Sequence, residues 1–175
     1  MREAFLELCE QQHARVVRFL LVCGAPLLDA QDATQEAFLA AWTELNTRPE
    51  KWQEVRNPAG WLRKVAINCW RRPPGSRNQV ALRSRSSSIR LLWEKAQPGA
   101  DPGELTPVTL TVLDTLARLG GQAPIVWAFH RDGFTNVEIG ELLGCPAQQI
   151  TDQLKKVRKA LRAALADVTE GRTPR

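Results

Sequence analysis

The strongest constraint on the fold comes from residues 135–165, TNVEIGELLGCPAQQITDQLKKVRKALRAAL. Thr135 followed by Glu138 is a capping-box pattern, so a helix is predicted to begin there and to end at Gly144. A longer second helix is predicted after a short turn, with Ile150, Leu154, Val157 and Leu161 on its apolar face and Gln148, Asp152, Lys155, Lys159 and Arg162 on its polar face. This arrangement predicts a helix-turn-helix.

Composition favours a polyanionic partner. The length of 175 residues suits one medium domain or two small ones. The net charge of +5 and the pI near 9.4 favour nucleic acid as the partner. No apolar run is long enough to span a membrane, and acidic residues follow Met1 where a signal peptide would be basic. We therefore expect a cytoplasmic protein without membrane insertion.

The cysteines and histidines do not indicate a metal site. Cys9, Cys23, Cys69 and Cys145 are scattered without a C-x-x-C pair, and His13 and His130 complete no ligand pattern. Buried, reduced thiols are the expected state, and neither a metal nor a cofactor is expected.

Helical spacing dominates the first 72 residues. Apolar positions predict one helix over residues 4–22 and a second that Asp29 caps and that fades near Asn46. A polar segment over residues 47–56 follows. Asn57 and Pro58 then predict an N-cap and first position of a third helix, which Pro73 and Pro74 end.

Residues 71–93 contain no acidic residue and six arginines, which predicts a flexible basic linker with one apolar cluster at Ile89, Leu91, Leu92 and Trp93. Beyond it, leucines predict a helix that ends at Gly120-Gly121, and Pro124 opens the next helix. The predicted fold is all-α. Two small helical domains, residues 1–72 and residues 108–175 with a short tail, are joined by a linker over residues 73–107.

Two helices carry groups suited to nucleic acid. In the last helix, Gln148 and Gln149 suit base edges, and Lys155, Lys159 and Arg162 suit phosphates. Asp152 would repel phosphate but could accept a hydrogen bond from a cytosine amino group. An ordinary amphipathic surface helix would give the same pattern. In the third helix, aromatic, basic and amide groups interleave as unstacked bases would require; they are Trp61, Arg63, Lys64, Asn68, Trp70, Arg71 and Arg72. Taken alone, this helix is better explained as a core helix with a solvated basic side.

No catalytic triad, paired-carboxylate site or glycine-rich phosphate loop is evident, so an enzyme is not expected.

Residues 29–42, DAQDATQEAFLAAW, resemble the DAEDxxQExFLxAW segment of bacterial sigma factors, specifically the small extracytoplasmic-function (ECF) type of the sigma-70 family. Residues 57–68, NPAGWLRKVAIN, resemble the NPxxWLxRVAxN segment of that family, and residues 135–165 resemble its C-terminal helix-turn-helix. The three segments follow in the family's order.

The resemblance implies an RNA polymerase sigma factor that directs core polymerase to promoters and assists promoter melting. Its partners would be core RNA polymerase and promoter DNA, with an anti-sigma factor as a candidate third partner. Core polymerase would contact Asp32, Gln35, Glu36, Leu39 and Trp42. The minus-ten element would contact Arg56, Asn57, Trp61, Arg63, Lys64, Asn68, Arg71 and Arg72, and the minus-thirty-five element would contact Gln148, Gln149, Thr151, Asp152, Lys155 and Lys159.

The chain departs from the family pattern at several positions. Ile67 stands where the family often has Arg, Gln122 and Pro124 replace expected arginines, and Thr151 and Gln153 replace common basic residues.

Two other functions stay open at this point. One is a sigma-derived helix-turn-helix regulator that acts without polymerase, and the other is a switch whose domains close around a partner or small ligand.

Overall fold

The computed structural model describes residues 2–72 and 106–169, and within these ranges every regular element is a helix. The predicted all-α class is therefore confirmed for the described residues. The side chains of Arg2, Pro107 and residues 167–169 are not described. The predicted basic linker, apart from its last two residues, and its apolar cluster lie outside the described residues.

The first described range contains four helices: α1 (Arg2–Val22), α2 (Leu27–Thr47), α3 (Pro49–Gln53) and α4 (Pro58–Arg71). The prediction that Asp29 caps α2 is wrong, because α2 begins at Leu27 and Asp29 lies in its first turn, where a carboxylate still interacts favourably with the helix dipole. The polar segment after α2 contains the short helix α3, and Pro49 lies in its first turn, a position that proline favours.

The start of α4 agrees with its sequence pattern. The Asn57 side chain accepts a hydrogen bond from the Gly60 backbone N–H at 2.9 Å, and a proline occupies the first turn. The predicted N-cap is therefore confirmed. The helix ends at Arg71, immediately before the part of the chain that the structure leaves undescribed.

The second range contains α5 (Pro107–Leu119), α6 (Ala123–Arg131), α7 (Asn136–Leu143) and α8 (Ala147–Thr169). The capping box of α7 is confirmed: the Thr135 N–H donates to Glu138 Oε2 at 2.8 Å, and the Glu138 N–H donates to Thr135 Oγ1 at 3.3 Å. Gly144 ends α7 in the left-handed conformation, with φ of 71°. Only Gly144, Cys145 and Pro146 separate α7 from α8.

The described residues divide into two compact units, residues 2–18 with 26–72 and residues 19–25 with 106–169. In the first unit, α2 packs against α4. Alanines form the buried seam of α2, and their small side chains allow a close approach; the seam consists of Ala30, Ala33, Ala37 and Ala41. Leu62 and Ala66 are the fully buried side chains that α4 contributes.

In the second unit, α8 packs against α5, α6 and α7. The predicted apolar face of α8 is confirmed, because Ile150, Leu154, Val157 and Leu161 are all buried. Phe129 of α6 meets Phe134 edge to face, with ring centroids 5.2 Å apart. The polar face of α8 is consequently turned toward solvent.

Across the described residues, no helix has both the length and the apolarity that crossing a membrane would require.

Candidate nucleic-acid interface

The exposed face of α8 is the most strongly basic helix surface in the described residues. Within residues 155–162 it carries five cationic side chains, all exposed: Lys155, Lys156, Arg158, Lys159 and Arg162. Gln148 and Gln149 are exposed in the first turn of the same helix. Because the opposite, apolar face is buried, this surface faces solvent. It presents amides at the start of α8 and cations further along the helix.

Asp152 lies between these two regions and is held by its neighbours. Gln148 Nε2 donates to Asp152 Oδ1 at 3.2 Å, and Lys155 Nζ lies 3.6 Å from the same oxygen. All three side chains are exposed, so this ion pair contributes little to stability. Its effect is local, since Lys155 offsets the negative charge on the surface that would face a phosphate backbone.

Thr151 is placed differently from the other predicted residues of α8. It is half-buried, accepts a hydrogen bond from Asn136 Nδ2 at 3.0 Å, and donates to the Ala147 carbonyl at 3.0 Å. Its hydroxyl therefore links α7 to α8. Gln153 is also half-buried, and its Nε2 atom lies 3.5 Å from Gln122 Oε1.

Arg158 anchors the basic surface to α6. Its Nη2 atom lies 2.9 Å from His130 Nε2. A guanidinium group can only donate, so the histidine nitrogen is the acceptor of this hydrogen bond. Sequence reasoning missed both Arg158 and Lys156, although their position in the basic run of α8 was a usable signal.

A second polar surface follows the exposed side of α4. Lys64, Asn68 and Arg71 are exposed and, together with the half-buried Trp61, recur at helical spacing. Arg72 is exposed just after the end of α4. Trp52 of α3 meets Trp61 edge to face, with ring centroids 5.4 Å apart. This aromatic pair beside amide and basic groups suits stacking against an unpaired base. Trp52 was missed because α3 was not predicted.

Arg63 does not belong to that surface. It is only 2% exposed, and its Nη1 atom donates to Gln12 Oε1 at 3.1 Å and to the Ala59 carbonyl at 2.9 Å. The expectation that Arg63 faces DNA does not hold in this structure, because the residue lies on the same side of α4 as the buried Leu62 and Ala66. Its guanidinium links α4 to α1 inside the first unit.

The remaining residues expected at the minus-ten surface have distinct surroundings. Arg56 is exposed just before α4. Asn57 is half-buried, and its side-chain oxygen is engaged by the Gly60 N–H, so its established role in the structure is to cap the helix.

The third candidate surface lies on α2, which contains four acidic and no basic residues. Asp32 and Gln35 are exposed, whereas Glu36 and Leu39 are half-buried. Trp42 is half-buried and packs on Phe5 of α1, with ring centroids 5.1 Å apart. The structure therefore places Asp32 and Gln35 on an accessible acidic face and gives Trp42 a share in the packing of the first unit.

The cysteines and histidines form no metal-binding cluster among the described residues. All four cysteines lie in the described ranges without a disulfide, and Cys23 and Cys69 are buried. Burial, with a smaller effect of Glu10, raises the pKa of the Cys9 thiol to about 12, and burial lowers the pKa of His13 to about 4. These shifts keep both side chains neutral near pH 7.

No family model, curated protein or solved structure matches the chain.

Proposed function

We propose that the chain is an RNA polymerase sigma factor of the extracytoplasmic-function type, which directs core polymerase to promoters and assists promoter melting. One observation carries this proposal: three segments that resemble the motifs of that family lie, in the family's order, on α2, on α4 and on α7 with α8. The polar faces of α2, α4 and α8 are exposed. The face of α2 is acidic, whereas those of α4 and α8 are basic. An aromatic pair accompanies the basic groups of α4, and amides accompany those of α8.

The acidic face of α2 is the proposed contact with core polymerase. Asp32 and Gln35 are accessible there, and the absence of basic residues from α2 suits a basic partner surface. Trp42 lies seven positions after Gln35 on the same side of α2, is half-buried and packs on Phe5. Replacing an exposed acid on this face should therefore weaken polymerase binding without unfolding the unit.

The exposed side of α4 is the proposed contact with the minus-ten element. Lys64, Arg71 and Arg72 would neutralise phosphates, and α4 contains no acidic residue that would oppose them. Asn68 supplies an amide for a base edge. The Trp52–Trp61 pair supplies an aromatic surface for a base that has left the stack.

The helices α7 and α8 are the proposed helix-turn-helix, with α8 in the major groove of the minus-thirty-five element. Gln148 and Gln149 lie in its first turn, where base contacts of this motif concentrate. Lys159 and Arg162 lie roughly three to four turns further along, where phosphates would flank the groove. Thr151 would act indirectly, by fixing α8 on α7 through Asn136.

Co-purification with bacterial core RNA polymerase tests the proposal. The wild-type chain should bind core enzyme, and Asp32→Lys should reduce binding by roughly tenfold or more if this charge lies in the interface. Glu10→Lys is the matched control, since it reverses an exposed acid of α1 outside the proposed contact. Circular dichroism should show both variants folded.

Two results would contradict the proposal. If the folded wild-type chain does not bind core enzyme, the sigma-factor assignment fails. If it then retards duplex DNA specifically, a helix-turn-helix regulator that works without polymerase becomes the better assignment. Equal binding by Asp32→Lys and Glu10→Lys would move the polymerase contact away from α2.

A further inference from the structure

We infer that Asp152 determines base specificity on α8 by selecting a cytosine in the major groove. This inference rests on the proposed contact between α8 and duplex DNA, and it adds the identity of one base to that contact. It is carried by the arrangement of Gln148, Asp152 and Lys155 on the exposed face of α8.

The orientation of Gln148 follows from simple chemistry. An ionised carboxylate has no hydrogen to donate, so the amide of Gln148 must turn its nitrogen toward Asp152, as the 3.2 Å contact from Nε2 to Oδ1 shows. The amide oxygen of Gln148 and its second N–H are then left to face a ligand. Gln148 and Asp152 together present acceptor atoms at the start of α8.

The carboxylate also keeps capacity for a ligand. In the described residues it is contacted by Gln148 and Lys155, both through Oδ1. A carboxylate has roughly four acceptor sites on its two oxygens, so sites remain for an incoming donor. Lys155 lowers the electrostatic cost of bringing this charge near phosphates, and Gln148 limits the side chain's freedom.

The pattern of major-groove donors then decides among the four bases. Cytosine offers the N4 amino group, a donor without an adjacent acceptor on its own edge. Adenine offers the N6 amino group beside the N7 acceptor, and a carboxylate oxygen would be repelled by N7. Guanine and thymine offer acceptors and, in thymine, a methyl group. The Asp152 carboxylate, which can only accept, therefore ranks cytosine first.

Selection from a pool of randomised duplexes by the full-length chain, with and without core polymerase, tests this inference. The wild-type chain should enrich a motif with cytosine at one position, at a preference of roughly tenfold. Asp152→Ala should lose that preference at that position and bind random duplex more tightly, because a repulsive charge is gone. Asp152→Asn should move the preference toward adenine, which an amide recognises through N6 and N7.

Asp114→Ala is the matched control. Asp114 is an exposed aspartate of α5 in the same unit, paired with Arg118 at 2.7 Å, and its removal should leave the selected motif unchanged. If wild type and Asp152→Ala select the same motif, the inference is overturned while duplex recognition stands. If the folded wild-type chain enriches no motif under either condition, the proposed duplex contact fails and the inference with it.

Discussion

Replacing Arg63 with methionine should destabilise the first unit, although a basic residue on a helix surface would ordinarily be expected to tolerate the change. The Arg63 guanidinium is buried and donates to Gln12 Oε1 at 3.1 Å. Gln12 is itself only 9% exposed, so the loss of its donor leaves a buried acceptor with poor access to water. An unpaired buried polar group costs about 1–3 kcal/mol.

The expected loss of unfolding free energy is therefore about 2 kcal/mol. For a chain of this length it corresponds to a fall of roughly 4–8 °C in the melting temperature. The double variant Gln12→Leu with Arg63→Met should recover most of the loss, because both polar partners are then replaced by apolar groups. A coupling free energy of about 1–2 kcal/mol between the two sites is expected.

Urea unfolding of the full-length chain, followed by tryptophan fluorescence, measures these differences. Trp42 and Trp61 are half-buried in the first unit and should report its unfolding. Lys64→Met is the matched control, since its neighbouring position on α4 is exposed and the change should cost within about 0.5 kcal/mol. Equal stability of Arg63→Met and Lys64→Met, or strict additivity in the double variant, would refute this account of Arg63.

Three further outcomes follow from other contacts. Asn57→Ala should cost about 1 kcal/mol by removing the acceptor of the Gly60 N–H, while Asn57→Asp should keep the cap; equal thermal unfolding of the two variants would argue against capping. Gly140→Ala should lower the unfolding free energy by roughly 1–2 kcal/mol, because the new Cβ would lie 2.6 Å from the Cys145 carbonyl oxygen. The higher helix propensity of alanine offsets only part of that clash. Hydrogen exchange in the α7–α8 turn measures this loss of stability, and unchanged protection would contradict it. Because burial lowers the pKa of His13 to about 4, the unfolded chain binds a proton that folded His13 excludes, so stability should fall as pH drops from 6.5 toward 4; a His13→Gln variant whose pH dependence in this range matches wild type would rule this out.

Features set by neighbouring residues could be predicted from the sequence. The Thr135–Glu138 capping box, the Asn57 cap and the left-handed Gly144 each depend on groups within a few positions of one another. The apolar face of α8 was predictable for the same reason, because its four buried residues repeat with the period of a helix. These local rules also placed Gln148 and Lys155 on the outward face.

Features that depend on distant residues could not be predicted in this way. Arg63 is buried because Gln12, 51 positions away, accepts its hydrogen bond. The five-residue helix α3 is too short to show a hydrophobic period, so Trp52 gave no signal of its contact with Trp61. Pro26, rather than Asp29, marks the start of α2, where competing start signals lie only three positions apart.

We propose that this chain confers promoter specificity on core RNA polymerase. Run-off transcription from a library of genomic fragments, with bacterial core enzyme and the purified chain, measures this property. Initiation is expected at a limited set of sites only when the chain is present. The double variant Lys64→Ala with Asn68→Ala should reduce this initiation, and Arg15→Ala, at an exposed position of α1, should retain it. Absence of chain-dependent initiation from every fragment, with the chain folded by circular dichroism, would contradict the claim.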